Sequence, residues 1–128
     1  MLKNKTIVLV ETNLFFAAKI SAILRKLEAE VKIAKNFDAI QKNAETHPEI
    51  MILNLANPET DPLGIIRKLK GCAQTAAIPI LGFCGHKDAA LMQAAADAGC
   101  DRIIPNSTLA LNLTEVLVEM QAKKNQVF

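Results

Sequence analysis

The chain has 128 residues, of which 51% are apolar and 22% charged, and its formal net charge is +2. That length can bury a real hydrophobic core, and one domain over residues 1–128 is the expectation. The near-balanced charge shows no basic block or stripe, which gives no case for nucleic acid, and no apolar run approaches the ~20 residues of a membrane span.

Residues 1–5 lead straight into a short strand-like run, so no signal peptide is expected. Thr6–Val10 reads as a first buried strand, with Glu11, Thr12 and Asn13 at its carboxyl end. Thr12 or Asn13 can cap a helix through Leu27, with Phe16, Ile20, Ile23, Leu24 and Leu27 at helical spacing. Val31–Ala34 is a second strand whose alternation marks a half-covered edge. Asn36 can cap a short helix to about Glu45. Glu49–Leu55 is a short apolar run with two isoleucines, entered through Pro48 and left through Asn57-Pro58, as a strand buried on both faces of a parallel sheet reads. The polar residue that ends it is Asn54. Asp61-Pro62 reads as an N-cap followed by proline at the first helical position, opening a helix that ends near Gly71. Ile78–Phe83 is the fourth strand. An alanine-rich helix from about Lys87 to Ala98 is closed by Gly99, and Arg102–Ile104 is the fifth strand. The last helix, from about Thr108 to Ala122, puts Leu113, Leu117 and Met120 on one face. Residues after Lys123 are expected to fray.

Five strands alternating with five helices make an α/β fold, a three-layer sandwich around a five-stranded parallel sheet with right-handed crossovers. The flavodoxin-like order 2-1-3-4-5 suits this count, with its switch point between strands one and three. Ligands of such sheets bind outside the carboxyl ends of the strands. Glu11, Thr12 and Asn54 are expected to line that crevice, joined by Cys84 and Asn106 from strands four and five.

The chain resembles a response-regulator receiver domain of the CheY-like family from Lys5 to Gln121. The marks are Pro48 with the strand that follows it, Asn57-Pro58 with Gly64, Ile65–Lys70, Ile78-Pro79-Ile80, and Ala98–Ile104. The resemblance implies two acids after strand one, where this chain has Glu11 and Thr12. It implies a phosphoryl-accepting aspartate ending strand three, where Asn54 stands. It implies a hydroxyl after strand four, an aromatic switch residue in strand five and a lysine-proline pair beyond it. Here those positions hold Cys84, Ile103 and Asn106-Ser107. Phosphoryl transfer to a carboxylate needs that carboxylate as nucleophile and Mg²⁺ to neutralise charge. Asn54 cannot ionise, and its NH₂ group repels a cation. The expectation is a pseudo-receiver, not phosphorylated in this pocket, with no metal and no cofactor.

Blander roles are kept for several residues. The Asn54 amide can simply bond the neighbouring loop backbone. Cys84 and His86 are too few to make a metal site, and the three cysteines, odd in number and without CxxC spacing, read as reduced thiols in a cytoplasm. On the last helix Leu109, Leu111, Val116 and Val118 form a surplus beyond the core face. With Met92 and Ile103 they compose an expected partner face, since the resembled family docks through helix four, strand five and helix five. The functional expectation is an interaction module in signal transduction, not an enzyme, that binds another signalling or regulatory protein or itself as a homodimer. The alternative is a small-ligand sensor using the crevice at strands 1, 3 and 5. An enzyme or electron carrier fares worst, lacking a Gly-rich phosphate loop after strand one, any Tyr or Trp, and an evident nucleophile–base pair.

Overall fold

Residues of a strand alternate between the two faces of its sheet. In the computed structural model of the chain, which describes residues 2–124, helices cover both faces. The elements run β1 (Thr6–Val10), α1 (Leu14–Lys26), β2 (Glu30–Ala34), α2 (Phe37–Ala44), β3 (Ile50–Asn54), α3 (Pro62–Lys70), β4 (Ile80–Cys84), α4 (Ala89–Ala98), β5 (Arg102–Pro105) and α5 (Asn106–Lys124). The sheet is parallel throughout, in the expected order β2-β1-β3-β4-β5.

Ile7 and Leu9 of β1, Ile50 and Ile52 of β3, and Phe83 of β4 pack with α1 and α5. Val8, Val10, Met51, Leu53 and Ile80 pack with α2, α3 and α4 on the other side. A strand with helices on both sides has no solvent-facing row, which is why β1 and β3 read as unbroken apolar runs. β2 is one of the two edge strands: Ala34 is buried while Ile33 stays 43% exposed. Close layer packing also dictates Gly82 in β4, where a Cβ would lie 2.8 Å from the Leu55 side chain.

Local signals set where the helices start and stop. Asn13 Oδ1 accepts the N–H groups of Phe15 and Phe16 at 2.9 and 3.3 Å, and Asn36 Oδ1 accepts that of Ala39 at 2.9 Å. Such caps are worth about 1 kcal/mol each. Asp61 caps α3, with Pro62 at its first position. Gly99 ends α4 at φ 110°, a left-handed conformation open to glycine at little cost.

Several boundaries differ from expectation. β4 begins at Ile80 because the Ile78 N–H is used in a turn to Thr75 O and Pro79 has no N–H for the ladder. The alanine-rich helix begins at Ala89, two residues late. α5 starts earlier, at Asn106, and is broken at Asn112, whose φ of −131° is not helical. Lys124 is still helical, and the fraying expected further on concerns residues 125–128, outside the described residues.

Candidate functional site

β1 and β3 are neighbours in the sheet, yet their chains leave it in opposite directions. β1 feeds α1 on one face and β3 feeds α3 on the other. The divergence opens a cleft of about 300 Å³ lined by Glu11, Thr12, Asn13, Asn54, Asn57 and Glu59.

Glu11 lies at its centre and is 1% exposed. Its Oε1 accepts the backbone N–H groups of Thr12 and Asn13, both at 3.0 Å. Its Oε2 accepts Asn54 Nδ2 at 2.9 Å. Asn57 Nδ2 donates to Thr12 Oγ1 at 2.7 Å and reaches Glu11 Oε1 at 3.4 Å. No lysine, arginine or histidine pairs with this carboxylate among the described residues. A buried charge without such bonding costs several kcal/mol. Hydrogen bonds to a charged group are each worth about 1.5–3 kcal/mol, so four N–H donors replace the lost solvation. Both asparagines turn their oxygens the other way. Asn54 Oδ1 accepts from Ala56 N and Asn57 Oδ1 from Glu59 N, each at 3.0 Å. The loop bonding expected of Asn54 is present, and a bond to Glu11 accompanies it.

Glu11, Thr12 and Asn54 therefore meet as expected, while Cys84 and Asn106 do not line the cleft. Cys84 is 1% exposed in the core on the α3 side, because an apolar thiol on a strand covered on both faces turns inward. Burial, and secondarily Asp88, pushes its thiol pKa up. Asn106 is exposed at the start of α5. Sequence reasoning did not assign Asn57 or Glu59 to the site. The available signal was a second asparagine three residues past Asn54, in a turn able to fold back over β1.

The expected partner face also needs correction. Leu109 and Val116 are each 3% exposed and belong to the core with Leu113, Leu117 and Met120. Leu109 precedes Leu113 by four residues and Val116 precedes Met120 by four, so they extend the buried stripe. Met92, Ile103 and Val118 remain partly exposed. The largest exposed apolar side chains are Leu111 at 79%, beside the break in α5, and Leu14 and Phe15 at 73% and 71% in the first turn of α1. Phe15 packs edge-on against Phe16, which in turn rests on Phe83.

No protein-family model matches the chain, and no curated protein does. Solved structures do. The signal receiver domain of a response regulator from Bermanella marisrubri is 31% identical with a TM-score of 0.73, over 91% of this chain and 99% of that one. The chain belongs to the response-regulator receiver family. A receiver domain of a sensor histidine kinase from Pseudomonas aeruginosa, solved with magnesium coordinated in its active-site cleft, is 18% identical with a TM-score of 0.81, over 93% of this chain and 98% of that one. NtrX from Brucella abortus is 17% identical with a TM-score of 0.83, and there the match covers 95% of this chain but 28% of the other. The receiver fold supports a role in signal transduction. Among the described residues, no helix is long and apolar enough to cross a membrane.

This receiver's cleft is a poor match for Mg²⁺, which takes hard oxygen ligands, usually including one or two carboxylates. Both Glu11 oxygens already accept hydrogen bonds, and the two asparagines aim N–H groups at that carboxylate. Glu59 adds a second acid, exposed on the rim. No cluster of three or more His, Cys, Asp or Glu side chains among the described residues could hold a metal. The donor set does not fit the ion.

Proposed function

We propose that this receiver is a pseudo-receiver: one receiver-like domain over residues 1–128, cytoplasmic, without catalytic activity, that acts by binding another signalling protein independently of phosphorylation. One observation carries the reading. Asn54 ends β3 with its Nδ2 donating to Glu11 Oε2 at 2.9 Å. An amide donor there is no nucleophile for a phosphoryl group, and it satisfies the acid that would otherwise seek a cation. The cleft is thereby held in one arrangement by its own side chains, and a chain without a switch acts through what it touches.

Contact falls to the exposed apolar groups. Met92, Ile103 and Val118 are what the structure leaves of the α4–β5–α5 face, and Leu14, Phe15 and Leu111 are more exposed than any of them. The sensor alternative has less support, because the polar groups of the cleft are bonded to one another rather than held open for a ligand.

The test is acetyl phosphate with Mg²⁺, read by intact mass and by affinity for a partner captured from the native cell. No phosphorylated species and an unchanged affinity are expected. Met92→Glu, Val118→Glu and Phe15→Glu then locate the face, since losing an interface anchor costs about 2 kcal/mol or more, roughly 30-fold in Kd. Stoichiometric phosphorylation that changes partner affinity would overturn the reading.

A further inference from the structure

At the opposite pole of the sheet, where β4 and β5 begin, a second cleft of about 370 Å³ lies between residues 76–79, the start of β5 and the last turns of α5. It is larger than the Glu11 cleft and falls within the ~300–1,000 Å³ range of small-molecule sites.

Its walls combine two characters. Ala77, Pro79 and Met120 supply apolar surface. Its acids are already engaged. Asp101 Oδ2 holds Lys70 Nζ at 2.8 Å and the Ile80 N–H at 2.7 Å. Glu119 Oε2 pairs with Arg102 at 3.0 Å. Lys70 is engaged too, because its ammonium also donates to Ala76 O and Ile78 O at 3.0 and 2.8 Å. Its three N–H groups thus have three acceptors, and the segment that walls the cleft is pinned to the start of β5. Lys123 also lines the cleft and has no ion pair among the described residues, while Lys124 has a long one of 3.6 Å to Glu49. Of the four lining cations, Lys70 and Arg102 are paired with the two lining acids and Lys124 with Glu49, which leaves Lys123 without an ion pair among the described residues.

We propose that this cleft binds a small amphiphilic anion: a carboxylate or phosphate monoester carrying an aliphatic or aromatic body. The body covers Ala77, Pro79 and Met120, and the anion pairs with Lys123, with Lys124, held only by its 3.6 Å contact to Glu49, as a second donor. Neither part suffices alone. An exposed lysine gains only about 0.2–1 kcal/mol from an ion pair, and a neutral apolar body leaves that charge unused. The proposal is independent of the pseudo-receiver reading, since the site shares no residue with the Glu11 cleft.

Amide NMR titration of the full chain tests it, with octanoate and phenyl phosphate as probes and with inorganic phosphate and n-octanol as the two half-ligands. Saturable shifts centred on Ala77, Arg102, Met120 and Lys123 are expected from at least one probe, with tighter binding than either half-ligand. Lys123→Gln/Lys124→Gln should weaken that binding about three- to tenfold while the rest of the spectrum is kept. The proposal fails if neither probe gives saturable shifts, if inorganic phosphate or n-octanol binds as tightly as both probes, if the double variant binds unchanged, or if the shifts centre on Glu11 and Asn54.

Discussion

Replacing Asn54 with aspartate changes one atom and almost no volume. Nδ2, which donates to Glu11 Oε2 at 2.9 Å, becomes an oxygen with nothing to donate while ionised. The lost hydrogen bond to a charged group is worth about 1.5–3 kcal/mol. Two carboxylates about 4 Å apart repel by about 4 kcal/mol at an effective dielectric of 20. The folded chain can escape most of both costs by holding one proton between the two acids. Keeping that proton at pH 7, about three units above an ordinary carboxylate pKa, costs roughly 1.36 kcal/mol per unit, or about 4 kcal/mol. Partial exposure of Asn54 softens this, so Asn54→Asp is expected to lose about 3 kcal/mol at pH 7. The sign follows from linkage. Protonating either acid removes the repulsion and restores a donor, so the gap between variant and wild type is expected to be full at pH 7 and to close on acidification. Urea denaturation of both proteins between about pH 4 and 7.5 measures the gap. Mg²⁺ should narrow it by taking the place of the amide, while leaving the wild type unmoved. Equal midpoints at pH 7, or a gap that does not close on acidification, would refute the account of Glu11.

On the proposed pseudo-receiver reading, the same variant treated with beryllium fluoride and Mg²⁺ should show NMR shifts confined to residues 54–60; shifts reaching α4 and α5 would show a working switch. Val116→Glu should unfold the chain in circular dichroism and Val118→Glu should not, because Val116 is 3% exposed and an unpaired buried charge is not tolerated. Burial above all raises the Cys100 thiol to about 11, so stability is full below the unfolded value of 9.0 and is lost as pH rises towards 11. Two units correspond to about 3 kcal/mol. Cys100→Ala should flatten that alkaline loss in denaturant titrations at pH 8 to 11. Ser21 is buried in α1 with no hydrogen-bond partner for its hydroxyl among the described residues, so Ser21→Ala is expected to raise stability by about 0.5–1 kcal/mol in urea denaturation.

Layers and three of the caps were legible because each rests on local information, and the strand order because 2-1-3-4-5 suits five strands alternating with five helices. Apolar runs mark strands covered on both sides, and Asn13, Asn36 and Asp61 bond N–H groups within three residues of themselves. The site was half legible. Glu11, Thr12 and Asn54 follow from lying at the ends of adjacent strands. Asn57 read as a turn residue because its bond to Thr12 spans 45 positions and exists only once the loop has folded back. Cys84 failed because a position in the chain does not say which way its side chain points when both faces are dry. Leu109 and Val116 differ for another reason: they lie four residues before Leu113 and Met120, and a three-residue stripe does not show how far along the helix the buried face extends.

The bonding of Glu11 also constrains the order in which the chain can fold. Two of its donors, the N–H groups of Thr12 and Asn13, are adjacent in sequence and available at once. The other two, from Asn54 and Asn57, arrive from 43 and 46 residues away. Until β3 docks beside β1, removing this carboxylate from water leaves it half-solvated. A different strand in the place of β3 leaves Glu11 without these two donors, and docking of β3 supplies them. A buried negative charge at the end of β1 thus favours β3 over any other strand on that side of β1, while the pairing with β2 on the other side is untouched.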